Sequence, residues 1–440
     1  MSYERRVLLR HSLASMVALG LTGLSRFIYS VAVSRRFGVE ELGRANSLVS
    51  QAFLLAIPLS FFAVALGKYS SEFLGKEKWQ SIRAITGPSF ILPLAGLFFI
   101  PINPYLALIA VFRALQLTFR SFLYGMHRGE HYAYVILIAF SGFLVGFFVH
   151  NAYAPYLIFL GLISFIALSY LIVFDLLGMP RREELHTLLS YSVFAFLGTL
   201  SGVFLIQGPY FLSERIGSAE VAGKVSAALS AAFLLSYLPQ VLQSAIMPLF
   251  SYKYGRDEKD YVRRLSEETT LFLTITTALL VFFLMLVGKE LLALFFGFDV
   301  GDLFYLALIA MEVYIAYNPS IVALNSTAYV KNGTIVSLIG ASVSFSLWLL
   351  LIPIYGATGV MVGLILGYSA ILLGTAFYSR RFLSVSLTVY RSLLVAVLLQ
   401  LSVFLSKTVL LMSTGFFIIY ERNRLRGMLS VLKSFRGKGP

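Results

Sequence analysis

The sequence predicts an all-α membrane protein that crosses the bilayer about fourteen times. Hydrophobic residues make up 58% of the 440 residues, charged residues only 13%, and the mean hydropathy is +0.84. A soluble protein of this length could not bury so much apolar surface. The composition therefore excludes a soluble enzyme, a disordered chain and a coiled coil. Apolar stretches of spanning length and an uneven distribution of Lys and Arg indicate the same fold class.

Fourteen stretches are long and apolar enough to be predicted as spans. A helix needs about 20 apolar residues to cross the hydrocarbon core. The predicted spans, in chain order, are residues 12–33, 45–67, 84–101, 104–126, 132–150, 155–177, 189–213, 225–250, 269–287, 303–327, 333–354, 357–378, 385–405 and 407–420. The last stretch is short, so the final pair is predicted either as a hairpin of two spans or as a single span.

Lys and Arg concentrate on one side of the predicted membrane. With residues near span ends counted in the adjoining segment, segments on the same side as the N-terminus hold 26 of the 35 Lys and Arg and the opposite segments hold 7. The other 2, Arg26 and Arg113, lie deep within spans. Cytoplasmic segments are the ones enriched in Lys and Arg, so we expect both termini to be cytoplasmic. The net charge of +14 is explained in the same way, and not by nucleic-acid binding.

Residues 421–440 are predicted to form a basic cytoplasmic tail. Its apolar residues recur at helical spacing between basic ones, which is typical of an amphipathic helix on the inner leaflet. A solvated basic tail is the alternative. The apolar residues of this segment are Leu425, Met428, Leu429, Leu432 and Phe435.

The chain contains an internal repeat at an offset of about 180 residues. Residues 34–44, SRRFGVEELGR, correspond to residues 213–224, SERIGSAEVAGK, at the same position in the topology. Pro58 in the following helix corresponds to Pro239. Six spans lie in each copy, so the two copies have the same orientation and the repeat is parallel.

The repeat predicts the organisation of the chain into domains. We expect a six-helix lobe over residues 1–180, a second six-helix lobe over 181–380, and an appended helical pair over 381–420. Alternating exposure of a central site by two such lobes is a common design of membrane carriers.

Two of these sequences resemble those of a known family. Residues 34–43 resemble the ARxLGxxxxG turn of Wzx-type polysaccharide flippases, and residues 350–360, LLIPIYGATGV, resemble the family's LIPxyGixGA. The family belongs to the MOP superfamily, with the lipid II flippase MurJ and the MATE exporters. In the second motif Pro353 is predicted to end a helix, and Gly356 and Gly359 to allow a tight reversal.

The resemblance covers residues 10–380 and implies a function. It implies an alternating-access transporter that flips oligosaccharides or polysaccharide repeat units linked to a polyprenyl diphosphate, for cell-surface glycan biosynthesis. It also implies a central cavity that is lined mainly by helices one, two, seven and eight.

Two arginines within predicted spans are candidates for the substrate site. Arg26 lies roughly 21 Å from the inner end of span one, and Arg113 roughly 13 Å from the outer end of span four, at 1.5 Å per residue. In a core about 30 Å thick these depths nearly coincide. Arg grips phosphate oxygens with bidentate bonds, so two at one depth would suit a diphosphate. The alternative is that each arginine pairs with a carbonyl or carboxylate inside its lobe.

Five further polar residues within spans are candidates. Gln51, Gln207, Gln240 and Gln243 fall on helices two, seven and eight, where they would either hydrogen-bond sugar hydroxyls or bridge helices. Glu312 is the only carboxylate deep within a span. It is predicted either to titrate during transport or to pair with an arginine.

We expect neither enzymatic activity nor a cofactor or metal site. The pattern H-x-x-E-H at residues 127–131 lies in a short inner loop with a Gly in the would-be helix, and there is no P-loop motif. The expected partners are the lipid-linked glycan and membrane lipids, not nucleic acid. The protein is expected to be a monomer in the cell membrane.

Other functions stay open at this point. A MATE-like exporter of drugs or other small cations should have an acidic site, whereas span one carries Arg26 and no carboxylate. A membrane glycosyltransferase needs a catalytic outer loop, and every predicted outer loop is short. A lipid II flippase shares the fold and a cationic cavity, so the sequence separates it poorly from an oligosaccharide flippase.

Overall fold

The computed structural model describes residues 3–427 and is helical in every regular element of that range. Side chains are described from Ala14 onward, apart from Phe194, Ser244, Ala245 and Pro248. Of the predicted tail, residues 421–427 are described and residues 422–427 are helical, whereas the rest of the tail, from Met428 onward, lies outside the described residues.

Sixteen α-helices lie within residues 3–420, and residues 422–427 are also helical. They are α1 (Tyr3–Phe37), α2 (Val39–Leu59), α3 (Ala63–Gly75), α4 (Trp79–Ile91), α5 (Pro104–Gly125), α6 (Gly129–Gly146), α7 (Ala154–Val173), α8 (Arg182–Leu212), α9 (Ala219–Ala232), α10 (Tyr237–Gly255), α11 (Lys259–Phe296), α12 (Leu303–Asn325), α13 (Val330–Tyr355), α14 (Ala357–Leu383), α15 (Arg391–Gln400) and α16 (Lys407–Tyr420).

The helices confirm the predicted fold class. Within residues 3–427, twelve helical segments are long and apolar enough to span a membrane, or thirteen if the bent pair α2–α3 is one span. Helix α16 is a shorter apolar helix. Each of the fourteen predicted stretches corresponds to one of these segments.

Helical breaks interrupt several spans that the sequence predicts as continuous. Helices α2 and α3 are bent by 45° just after Pro58, which cannot donate the usual helical hydrogen bond. Helix α4 continues as a 3₁₀ segment, Leu92–Phe99, with Pro93 near its start. A 3₁₀ segment, Phe233–Ser236, separates α9 from α10.

The chain divides into two compact units. The first comprises Met1–Tyr237 and Ser344–Val360, and the second comprises Leu238–Val343 and Met361–Pro440. These boundaries differ from those of the predicted six-helix lobes, which stay a prediction.

Helix starts in the first unit follow from local capping. The Asn103 side chain accepts a hydrogen bond from the Leu106 N–H at 3.0 Å, and Pro104 occupies the first turn of α5. In the same way the Ser218 hydroxyl accepts from the Val221 N–H at 3.2 Å and begins α9.

Helices α2 and α9 of the first unit cross at two glycines. A Cβ on Gly43 would lie 2.0 Å from the Ala219 carbonyl oxygen, and a Cβ on Gly223 would lie 2.1 Å from the Val39 carbonyl oxygen. Only glycine allows backbones to approach so closely. Residues 39 and 43 are each separated by 180 positions from residues 219 and 223, so the two contacts are equivalent under the predicted repeat.

The second sequence motif forms a tight turn, but Pro353 does not end the helix there. Helix α13 continues to Tyr355, because a proline close to a helix end removes only one late hydrogen bond. Gly356 then adopts a φ of +54°. A Cβ on Gly359 would lie 2.4 Å from the Leu351 carbonyl oxygen, so this position also requires glycine.

In the second unit, α11 packs against α12, α15 and α16. Helix α12 is the most buried of the candidate spans in the described chain: 89% of its most apolar 18-residue stretch is buried. Helix α11 ends at Gly297, whose φ of +81° is the left-handed conformation common after a helix.

Candidate functional site

Helix α5 presents three polar side chains on one face. Arg113, Gln116 and Arg120 are spaced by three and four residues, which places them on the same side of a helix. Arg113 Nη1 donates a hydrogen bond to Gln116 Oε1 at 2.5 Å, and Gln116 Nε2 donates to the Tyr132 hydroxyl at 3.2 Å. The Arg120 Cζ lies 5.8 Å from the centre of the Tyr124 ring.

Arg26 of α1 connects α2 to α8. Its Nη1 donates to Gln207 Oε1 at 2.9 Å, and its Nη2 donates to Ser50 Oγ at 3.2 Å. Ser50 Oγ also donates to Gln207 Oε1, at 3.0 Å. The guanidinium carbon lies 4.2 Å from the centre of the Tyr210 ring, one helical turn beyond Gln207. These contacts hold the guanidinium in one place.

The structure brings Arg26 and Arg113 to the same aromatic ring. The two guanidinium carbons lie 6.0 Å and 4.6 Å from the centre of the Phe53 ring. The Tyr237 hydroxyl interacts electrostatically with both arginines and with Arg120. We call Arg26, Arg113 and Arg120 the arginine cluster. All three side chains are half-buried.

No described carboxylate neutralises the cluster. Among the side chains that the structure describes, no carboxylate forms an ion pair with any of the three arginines. Their partners are neutral amides, hydroxyls and aromatic rings, which orient a guanidinium without neutralising it. The Arg26 Nε is buried and has no hydrogen-bond partner in the described chain, so its N–H is available to an anion.

A cavity of about 390 Å³, which we call the vestibule, lies beside the first half of α2. Seven of its ten lining residues are polar or charged, and one of the predicted glutamines, Gln51, is among them. The lining residues are Arg44, Ser47, Leu48, Gln51, Ile102, Asn103, Leu106, Tyr153, Glu214 and Arg215.

Hydrogen bonds join α2 to the segment that follows α8, Ser213–Gly217, at the vestibule. Ser47 Oγ donates to Glu214 Oε2 at 2.9 Å, and Gln51 Nε2 donates to Ser47 Oγ at 3.1 Å. Burial and the nearby Glu41 carboxylate raise the pKa of Tyr153 to about 12, so its hydroxyl keeps its proton at physiological pH. The vestibule thus combines amide, hydroxyl and phenol groups, which suit sugar hydroxyls.

Two predicted glutamines lie elsewhere. Gln240 and Gln243 are half-buried on α10 in the second unit and belong neither to the arginine cluster nor to the lining of the vestibule.

Glu312 is fully buried on α12 of the second unit. Among the described residues, neither carboxylate oxygen of Glu312 has a hydrogen-bond partner and no cation pairs with it. The Gln400 side chain of α15 interacts with this carboxyl.

Several members of the site are not predicted from the sequence. The prediction counts Arg120, near the end of span four, with the adjoining inner segment. Its spacing of seven residues from Arg113 is a signal that could have placed both on the same face of the helix. Ser50 and Phe53 lie close to the predicted Gln51 in the chain, and Tyr210 lies one turn beyond Gln207. Nothing in the sequence alone distinguishes these three from other core residues.

Solved structures show which fold this is. The lipid II flippase MurJ in an inward closed conformation matches with a TM-score of 0.65 and 13% identity, over 95% of this chain and 100% of that chain. An inward-facing multidrug resistance MATE family transporter of the MOP superfamily matches with a TM-score of 0.66 and 14% identity, over 86% and 99%.

A MOP superfamily transporter from Pyrococcus furiosus, described as having a binding pocket of reversed polarity, matches with a TM-score of 0.62 and 15% identity, over 86% and 95%. No protein-family model and no curated protein matches the sequence. The chain is therefore a multi-pass membrane protein with the fold of these transporters.

Proposed function

We propose that the protein is a transporter that flips oligosaccharides or polysaccharide repeat units, linked to a polyprenyl diphosphate, across the cell membrane by alternating access. The observation that carries this proposal is the arginine cluster, which holds three cations without a described carboxylate partner. Charges at this depth are costly to insert and are functional candidates by default.

A diphosphate is the group that the cluster fits best. It brings negative charge into a region of low dielectric, where oriented guanidinium groups stabilise it more strongly than water-exposed ones would. Arg26 and Arg113 flank the Phe53 ring, so each can offer parallel N–H donors to a different phosphate. The polar vestibule at α2 supplies groups for sugar hydroxyls.

Lipid II flipping is the second candidate. The MurJ structure matches over 95% of this chain, and the same cationic cluster fits any lipid-linked diphosphate. Export of cationic drugs is disfavoured, because three arginines without a described carboxylate partner repel a cation. The pocket of reversed polarity described for the Pyrococcus furiosus transporter is a precedent for different chemistry in this fold.

We also propose a setting for the protein. It resides in the plasma membrane as a monomer, with both termini cytoplasmic and membrane lipids as its surroundings. The distribution of Lys and Arg supports this orientation.

Replacing Arg26 tests the function. In vesicles with purified protein and a fluorescent oligosaccharide on polyprenyl diphosphate, Arg26→Ala will reduce flipping by about 10- to 100-fold, since hydrogen bonds to charged groups contribute about 1.5–3 kcal/mol. Arg26→Lys will keep part of the activity, because it retains charge but not the planar donors. Flipping is measured as label that becomes accessible to a membrane-impermeant quencher.

Controls separate charge from folding. Arg256→Ala removes an exposed cation that bonds only to Tyr252 among the described residues, and it should leave transport unchanged. Each variant is checked by elution as a single species in detergent. A well-folded Arg26→Ala protein with wild-type flipping overturns the diphosphate site, and a neutral lipid-linked sugar that is flipped equally well overturns the substrate class.

A further inference from the structure

A fully buried tryptophan contacts the helix that carries two partners of Arg26. Trp348 of α13 has zero exposure and belongs to the same compact unit as α8. A Cβ on Gly208 of α8 would lie 2.8 Å from Trp348 Cζ3, so the indole ring lies directly on the backbone of that helix. Gln207 and Tyr210, which both contact Arg26, are the residue before Gly208 and the residue two positions after it. The ring thus touches α8 between the two contacts to the guanidinium.

Helix α8 is locally weak at the point where the ring touches it. Gly208 is followed by Pro209, and both lie inside the helix. The proline removes one backbone hydrogen bond, and the glycine leaves its own backbone less restricted than other residues would. Sharp changes in helix direction occur at such positions. The course of α8 past Gln207 therefore depends on its packing, which Trp348 supplies.

A hydrogen bond fixes the orientation of the indole ring. Trp348 Nε1 donates to the Val360 carbonyl oxygen at 2.9 Å, and both groups are buried. Nε1 is the only polar atom of a tryptophan side chain, so this one bond sets the rotation of the ring. Val360 is the last residue of the sequence LLIPIYGATGV. The turn between α13 and α14 thus supplies the acceptor that holds Trp348 against α8.

We propose that Trp348 is a positioning residue for the arginine cluster, and this rests on the function proposed above. The ring supports α8 at Gly208. The Gln207 amide oxygen and the Tyr210 ring are thereby kept in contact with Arg26. Groups that hold a binding residue in its productive orientation contribute to affinity without touching the ligand. The turn at residues 350–360 is in this way connected to the proposed diphosphate site.

Binding measurements test the contact from both of its sides. Gly208→Ala adds a methyl group that meets the ring, and Trp348→Phe shortens the ring and removes the bond to Val360. Each variant should bind a fluorescent polyprenyl diphosphate without sugar about tenfold more weakly than the wild type in detergent, the loss expected when one hydrogen bond to a charged group is broken. The double variant should bind more tightly than Gly208→Ala alone, because the smaller phenyl ring leaves room for the methyl group.

Gly202→Ala is the matched control. Gly202 lies on the same helix, and no atom outside its own helical turn lies within 4 Å of the position that a methyl group would take. Its substitution should leave the affinity unchanged. A loss of affinity equal to that of Gly208→Ala would overturn the role of Trp348, because the effect would then not arise from the ring.

Stability gives a readout that needs no substrate. Gly208→Ala and Arg26→Ala each break the contact between Arg26 and Gln207, so the double variant should lose less free energy of unfolding than the sum of the two losses. A tryptophan that only fills space beside α8 would instead give additive losses. Denaturant unfolding of the two single variants and the double variant measures the difference.

The outcomes distinguish the two proposals. If the losses are additive, or if the wild type binds the polyprenyl diphosphate and both Gly208→Ala and Trp348→Phe bind it as tightly, the positioning role is wrong and the transporter proposal stands. If the losses are less than additive while the wild type binds no polyprenyl diphosphate, Trp348 positions Arg26 but the proposed substrate is wrong.

Discussion

At the scale of the residue, Gln207 has an unusual position, because one amide oxygen accepts hydrogen bonds from both Arg26 and Ser50. The oxygen holds the guanidinium in place without cancelling its charge. A carboxylate at this position would bind Arg26 more strongly, but it would also compete with any anionic ligand. The choice of amide over acid therefore suits a site that must receive an anion.

Gln207→Leu should destabilise the protein. The substitution removes the acceptor and leaves the Arg26 and Ser50 donors unsatisfied in a partly buried place, which costs about 1–3 kcal/mol. Denaturant unfolding of the purified protein would measure the loss. Gln80→Leu is the control, because Gln80 is exposed and accepts only a surface bond from Arg181 in the described structure. Equal stability of both variants would contradict this role of Gln207.

The neighbourhood of Arg26 and Arg113 was predictable from the sequence, and their partners were not. The fixed rise of a helix converts sequence position into depth, so two charges in separate spans could be placed at one level. The contact between Arg26 and Gln207 joins positions 181 residues apart. Packing decides which faces of the two helices meet, and it cannot be read from the lengths of the spans.

At the scale of the element, the crossing of α2 and α9 depends on the absence of two side chains. Gly43→Ala and Gly223→Ala should each destabilise the protein, because the added methyl group meets a backbone carbonyl that cannot rotate away. The two substitutions should lower the stability by similar amounts. The double variant should lose less stability than the sum of the two losses, because the first substitution already separates the helices.

A glycine of the same helical type provides the comparison. Gly20 lies within α1, and no atom outside its own helical turn lies within 4 Å of the position that a methyl group would take. Gly20→Ala should therefore stabilise the protein by about 0.5–1 kcal/mol. Thermal unfolding in detergent measures all four variants. If the Gly43→Ala protein is as stable as the Gly20→Ala protein, the close approach of α2 and α9 does not require glycine at position 43.

At this scale the sequence predicts where the spans lie, but not whether each span is one unbroken helix. Hydrophobic length alone locates all fourteen stretches. Pro58 and Pro353 illustrate why breaks are harder to predict: the chain bends after the first, yet α13 continues two residues beyond the second. A proline removes one hydrogen bond in both cases, and the surrounding packing decides whether the helix stops.

At the scale of the whole molecule, the orientation of the chain makes a prediction of its own. Accessibility tags at both termini and at Lys259 should react only from the cytoplasm, and tags at Gly217 and Tyr355 only from outside, because of the distribution of Lys and Arg. The chain has no cysteine, so single cysteines can serve as tags and be labelled with an impermeant thiol reagent. Labelling of Lys259→Cys from outside would overturn the fourteen-span topology.

The crossing at Gly43 and Gly223 has the form of a contact between two copies of one surface. Gly43 meets residue 219, and Gly223 meets residue 39, which is the exchange of partners that defines an isologous two-fold interface. One copy of the predicted repeat carries both sides of this crossing, so two identical copies could build the same crossing as a homodimer. A single chain differs from such a dimer in that its two halves carry different side chains around the crossing. It can therefore place three arginines on one side only, which a symmetric dimer cannot do.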